Sequence, residues 1–425
     1  MVSHNDREIL RALAGRVAHI AALPEQCKRR EDWLEFNALR PKRPMLLAFP
    51  ENAWGELVPD DSLRCEDEFA RDCERQLRMK IYQWEHIRDD NTVDPFFDVQ
   101  WIHTQGDFGV PVTQTRGDAH GSFTWDPPLK NLPDDLGKLS FRRPAVDRPA
   151  TGRAVERAQD LFGGILPVRL RGSFWWTAGM TCDAIALVGL DNFMVLMYMQ
   201  PDIIHQLMAF LRDDWLNFMQ WHETKGFLTL NNGSDCVGSG GVGHTHELPG
   251  TGSAAVQLAD IWGLSESQES VGISPELFQE FILPYQAPVF QKFGLLCYGC
   301  CEPLQDRIDA VLKTATRLRR VSVSPWCDQR VMKEKLDNKY IFSRKPNPSH
   351  VCTEFNEDTI RGDLRETLAI AGEGPLEIIL KDTHTVRNEP WRLTRWVEIA
   401  REEVNAYMES DGRRANNTSI AYTQT

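Results

Sequence analysis

The chain has 425 residues and a mass of 48.6 kDa, with 42% hydrophobic and 26% charged residues; this excludes disorder, collagen and coiled coil and suits one large domain or two modest ones. Its net charge of −13 and pI near 5.4 exclude a nucleic acid gripped through its phosphates, which needs a basic surface. No apolar run approaches bilayer length and Met1–Asp6 carries no secretory apolar stretch, so the expectation is a cytoplasmic protein, without membrane contact, that acts on a small molecule.

Ile9, Leu10, Leu13, Val17 and Ile20 recur at helical spacing. They predict a helical extension over 1–43 that covers a barrel end or a partner, with a homodimer as one such arrangement. After Pro44 the text changes to short apolar runs punctuated by Gly, Pro, Asn and Asp. Strands are expected at Met45–Pro50, Phe97–Ile102, Ile165–Gly172, Gly226–Leu230, Leu295–Tyr298, Arg320–Ser324, Tyr340–Ser343 and Leu376–Lys381. Between them, helices are expected over Pro201–Trp215, from the Ser274-Pro275-Glu276 start, and over Glu302–Thr314. About eight strands alternating with helices over 44–408 predict an α/β fold, a (β/α)8 barrel; 409–425 reads as a disordered tail. An open doubly wound sheet is weaker, because no early strand is followed by Gly-x-Gly-x-x-Gly.

A barrel of this kind does its chemistry at the carboxyl ends of its strands, so the residues after each run are the candidates. Arg171 and Trp176 follow the third run and Asn232 the fourth. Trp326 follows the sixth, Arg344 and Lys345 lie at the seventh, and Lys381 and Asp382 at the eighth. Arg344 and Lys345, before a Pro-Asn-Pro turn, are expected to anchor a substrate anion. His244, in a glycine-rich loop, is expected on a lid that assists proton transfer. The cluster Cys297, Cys300, Cys301 stands apart from the scattered cysteines and could converge on a metal; the competing reading is that these thiols pack at a strand end.

The stretch from about Gly163 to Trp396 resembles the uroporphyrinogen decarboxylase superfamily, which includes zinc-dependent methylcobamide:coenzyme M methyltransferases. The similarity rests on Val188-Gly189-Leu190-Asp191-Asn192-Phe193, Met199-Gln200-Pro201-Asp202, Ile273-Ser274-Pro275-Glu276 and Phe281-Ile282-Leu283-Pro284-Tyr285. More specific are Tyr298-Gly299-Cys300-Cys301-Glu302-Pro303-Leu304, Ser322-Val323-Ser324-Pro325-Trp326 and Lys381-Asp382-Thr383-His384, which are similar to an uncharacterised branch. The resemblance implies a zinc site: the methyltransferases' His-x-Cys pair falls on Tyr298 and Cys300, and their last ligand on His384. Cys301 or Glu302 would complete the set of Cys300, Cys301, Glu302 and His384, with Tyr298, Glu302, His244 and Asp382 in catalytic roles. The implied reaction is methyl or one-carbon transfer.

The alternatives are a metal-assisted decarboxylase or lyase acting on a small carboxylate, and a non-catalytic binding protein on a degenerate barrel. Haem-pathway decarboxylation is disfavoured, since Phe49-Pro50-Glu51-Asn52-Ala53-Trp54 stands where that family's Arg-Gln-Ala-Gly-Arg signature cradles carboxylates. Asp382-Thr383-His384 is similar to the start of a corrinoid-binding motif, but Arg387 breaks it and only about forty residues follow. No cobalamin domain fits there, so any corrinoid or methyl carrier would be a separate protein.

Overall fold

The computed structural model describes residues 2–116, 123–172, 177–250 and 255–410. Its centre is a six-stranded parallel sheet. We number the main strands β1 (Met45–Ala48), β2 (Phe97–Gln100), β3 (Val168–Arg171), β4 (Trp262–Ser265), β5 (Leu295–Tyr298), β6 (Leu318–Val323), β7 (Ile341–Arg344) and β8 (Leu376–Leu380). The sheet runs β1-β8-β7-β6-β5-β4, with Met45 opposite Glu377, Arg344 opposite Ile378, and Ser265 opposite Tyr298. β2 and β3 form a separate parallel pair with Phe97 opposite Val168, and two short antiparallel ribbons lie between them in sequence.

One expectation holds at a coarser level and another is corrected. Among the described residues no ladder closes these strands into an eight-membered ring; the fold is a mixed α/β architecture with a parallel sheet. The expected strand Gly226–Leu230 is not one, and Trp262–Ser265 supplies a strand that its short, glycine-containing text concealed. Gly263 is required there, because the Phe293 ring lies 2.2 Å from where a Cβ would stand. Residues 227–230 instead run beside the end of β3, where the Gly172 N–H donates to Thr229 Oγ1 at 3.1 Å.

Helices match the expectations in type and differ in length. Pro201–Trp215 extends to Lys225 before Gly226, at φ 69°, ends it, and Ser274 caps Pro275–Phe281 by accepting from Leu277 N–H. The segment Glu302–Thr314 is helical only from Ile308, because Glu302 and Pro303 belong to a turn. In the extension, Trp33 and Phe36 pack on Met45, Leu47, Ile341 and Ile379, closing the amino end of the sheet. Among the described residues no single helix is long and apolar enough to cross a membrane; only the pair Thr181–Val188 and Leu190–Met199, bent by 93°, passes that test jointly.

Side-chain parity along the strands decides which residues can meet, because successive residues face opposite sides. Leu46, Ala48, Tyr298, Val321, Val323, Phe342, Ile378 and Leu380 pack into the large core beneath the helices. Met45, Leu47, Ile341 and Ile379 face the other, inner side. Onto that inner face folds the loop 236–242, a narrow turn closed by the Cys236–Val242 bridge and by Val237 N–H donating to Gly241 O. Gly238, at φ 65°, presses against Cys297, where a Cβ would fall 2.6 Å from the sulfur.

Candidate thiol centre

Gly299, at φ 91°, turns the chain as β5 ends; a Cβ there would lie 2.5 Å from Leu304 Cδ1. The turn sets Cys300 and Cys301 at the carboxyl end of the sheet. Several hydrogen bonds hold it. Glu302 accepts from Ser267 N–H at 3.0 Å and from Cys300 N–H at 2.9 Å, while Ser322 Oγ donates to Cys300 O at 2.9 Å and Ser324 Oγ to Glu302 O at 3.1 Å. The two sulfurs stand 3.6 Å apart, and Cys301 Sγ lies 3.7 Å from Asp382 Oδ2. From the loop on the inner face, Ser239 Oγ donates to Cys300 Sγ at 3.5 Å.

This environment divides the pair. The hydrogen bond from Cys301 holds the Cys300 thiol below the ordinary thiol range against the opposing effect of burial, and Ser239 and the Lys381 ammonium add to it. Cys301 is pushed up by the same bond and by burial. The two thiols titrate as a pair, and the surroundings of Cys300, with Ser239 and the Lys381 ammonium beside it, favour the thiolate there.

One layer deeper, Arg320 Nε pairs with Glu377 Oε1 at 2.8 Å, and Glu377 also accepts from Ser343 Oγ. Above them Lys345 is 3% exposed and donates to Ser343 Oγ and, at 3.2 Å, to Ser343 O. Burial pulls the Lys345 ammonium down to about 8 against the field of Glu377. Lys381 meets Glu51 at 3.5 Å.

The other expected site residues are placed as follows. Tyr298 faces outward by parity, donating to Gln286 Oε1 at 3.1 Å, and burial drives its phenol far above the ordinary range. Arg344 also faces outward, donating to Ser324 O at 2.8 Å and pairing with Asp363 at 3.1 Å. Arg171 is paired with Asp235, and Asn232 donates to Pro249 O at 2.8 Å. His244 is buried rather than on a lid: its Nε2 is 3.0 Å from Thr92 Oγ1, and burial lowers its pKa to about 4, so it is neutral. Trp326 is 66% exposed beside the turn, and Trp176 lies outside the described residues.

The expected zinc set does not assemble as a whole. Glu302 is occupied by backbone amides, and His384 is exposed with Nδ1 3.0 Å from Asn52 Nδ2. Among the described residues no group of three or more His, Cys, Asp and Glu side chains is gathered as a metal requires. Cys300, Cys301 and Asp382 come nearest, in two pairwise contacts. Two thiols and a carboxylate are donors that zinc accepts.

Ser239, Cys236 and Glu266 were not singled out from the sequence. Glu266 is fully buried, with Oε2 accepting from Gln268 N–H at 2.7 Å; burial first, then Glu269 and Glu302, hold its carboxyl well above the ordinary range. Only pairing β4 with β5 brings Glu266 to this turn, and β4 is the strand the text concealed.

No family model and no curated protein matches the chain. Among solved structures it is similar to a methyltransferase from Methanosarcina mazei, at 12% identity and a TM-score of 0.49, over 88% of this chain and 98% of that one. Agreement at that level carries no inference about activity.

Proposed function

We propose that the protein is an enzyme of the (β/α)8 uroporphyrinogen decarboxylase-like type that transfers a methyl or other one-carbon group to or from a small molecule at Cys300. The observation carrying this reading is the thiol pair at 3.6 Å on a turn clamped by Glu302, Ser322 and Ser324, with Ser239 Oγ donating to Cys300 Sγ. In the forward sense the Cys300 thiolate attacks the carbon, an S–C bond forms, and the bond from carbon to its former carrier breaks with its electron pair. The proton on Cys301 is then the nearest one for the departing group. Asp382 Oδ2, 3.7 Å from Cys301 Sγ, is the alternative acceptor for that single proton. The clamped turn keeps the sulfur in position, so little is lost to ordering during attack.

Zinc held by Cys300, Cys301 and Asp382 would supply positive charge that favours both thiolates, and Cys301 would then carry no proton to give, so the proton role above belongs to the metal-free pair. A separate corrinoid or other carrier protein would present the one-carbon group. One observation favours the rival decarboxylase reading, the two ammonium groups Lys345 and Lys381 near the thiols, since they could stabilise developing negative charge. A screen of methyl donors with small thiol and alkoxide acceptors tests the proposal: transfer by the wild type, lost in Cys300→Ala with an unchanged circular dichroism spectrum, is the expected result. Release of carbon dioxide from a carboxylated compound with no donor present would defeat it.

A further inference from the structure

Of the ten free thiols, Cys300 and Cys301 are the only two that are neighbours in sequence. Consecutive side chains ordinarily diverge, as they do along a strand. Here Gly299, at φ 91°, first turns the chain out of β5, and the two sulfurs come to the same side, 3.6 Å apart. Roughly 1.5 Å then separates this contact from the length of an S–S bond.

The two residues are held unequally. Cys300 is anchored through its amide, which donates to Glu302 at 2.9 Å, and through its carbonyl, which accepts from Ser322 Oγ at 2.9 Å. The Cys301 amide is 3.4 Å from Gln268 Oε1 and its sulfur 3.7 Å from Asp382 Oδ2, both long contacts. Cys301 is also half-buried where Cys300 is buried, so it is the residue of the pair that a water-sized solute reaches first and the one with freedom to move.

We propose that Cys300 and Cys301 form a reversible disulfide with each other on meeting hydrogen peroxide, a modification that takes the thiol centre out of use. A thiolate of the pair attacks one peroxide oxygen; the S–O bond forms as the O–O bond breaks, and the departing oxygen takes a proton and leaves as water. The second sulfur, losing its own proton, then displaces the oxygen of the sulfenic acid, which leaves as a second water. Two thiols and one hydrogen peroxide thus give one disulfide and two waters. Adjacent Cα atoms are about 3.8 Å apart, below the ~4.4–6.8 Å that relaxed disulfides span, so a dithiol reduces the bond readily. In the closed pair neither sulfur is a thiolate, and neither can attack carbon or bind a metal. The consequence for turnover rests on the reading of Cys300 as the reacting sulfur; the bond itself rests on the geometry of the pair.

The test treats wild-type protein, stripped of metal with a chelator, with a slight excess of hydrogen peroxide at neutral pH, then unfolds it in N-ethylmaleimide and digests it with trypsin. The peptide Phe293–Arg307 holds Cys297, Cys300 and Cys301, so the expected product carries one maleimide, on Cys297, and lacks two hydrogens. Dithiothreitol before labelling should restore all three maleimides, and Cys297→Ala should still form the bond. Under excess peroxide Cys301→Ala should accumulate about fivefold more sulfinic acid on Cys300 than the wild type, because the partner that intercepts the sulfenic acid is gone. Three maleimides after peroxide treatment, a bond from Cys297 to either neighbour, or equal sulfinic acid in Cys301→Ala and the wild type would overturn the proposal. Methyl iodide labelling of the reduced protein separates the two readings: Cys300 left unmethylated while the disulfide forms defeats the reacting-sulfur reading and leaves this one standing.

Discussion

Two polar networks lie on the sheets, and they differ in how completely their groups are matched. Around β3, Arg169 pairs with Asp98 at 2.7 Å, Arg171 with Asp235, Ser234 donates to Asp94 at 2.7 Å, and neutral His244 meets Thr92. At the carboxyl ends of β5, β7 and β8, Cys300 and Cys301 titrate as a pair beside the Lys381 ammonium, and Lys345 has only hydroxyl and carbonyl partners. Buried polar groups are ordinarily satisfied, so the matched network reads as architecture and the unmatched one as chemistry. Substitutions in the first should reduce stability and spare reactivity, and those in the second should do the reverse.

The largest expected effect is on the unmatched side. Cys300→Ala should reduce turnover by roughly 10³-fold or more, the scale on which loss of a nucleophile is felt. Its midpoint in urea should move little. On the matched side, Arg171→Met leaves the Asp235 carboxylate buried without its partner and should cost about 3–5 kcal/mol in equilibrium unfolding. A kinetic loss from Arg171→Met larger than from Cys300→Ala would invert the assignment.

The pH dependence of stability sharpens the contrast. His244 and His222 are both lowered from 6.5 to about 4 by burial, so each favours the neutral ring. Their contribution is complete above pH 6.5 and is lost as pH falls toward 4, roughly 3 kcal/mol for each histidine. Asp89, raised from 3.8 to about 6 by burial, acts in the opposite sense, recovering a similar amount over the same descent. Glu266, Glu302 and Asp183, also raised by burial, act in the same sense as Asp89, so the histidine contribution is read as a difference between variants. In denaturant titrations from pH 7 to 4, His244→Gln should lose less stability than the wild type, and an equal loss in both would contradict the burial of a neutral ring.

Much of the fold was legible because strand ends are marked by Gly, Pro and Asp, and seven of the eight expected runs coincide with strands or overlap them. The miss at Trp262–Ser265 came from a four-residue strand whose glycine exists to admit Phe293. For the site, the cysteine pair and the residues Lys345, Lys381 and Asp382 stood out by position after a strand. Tyr298 and Arg344 stood out equally and face the outer side, because register and parity decide whether such a residue faces in or out, and neither is visible before the strands are paired. Ser239 and Cys236 were hidden for another reason: a loop's text does not show which face it will fold onto. The smallest expected effect belongs to that loop. Ser239→Ala removes one hydrogen bond to Cys300 Sγ, about 1 kcal/mol, and should slow alkylation of Cys300 at neutral pH by about fivefold.

The central claim, that Cys300 is the reacting sulfur, is tested most directly by limiting methyl iodide at pH 7 and peptide mass mapping of the ten cysteines. The account predicts that the first methyl appears on Cys300, ahead of the exposed Cys27 and Cys182, and that Cys301→Ala slows this methylation. Methylation of Cys27 first, with Cys300 unmodified while the protein remains folded, would contradict it.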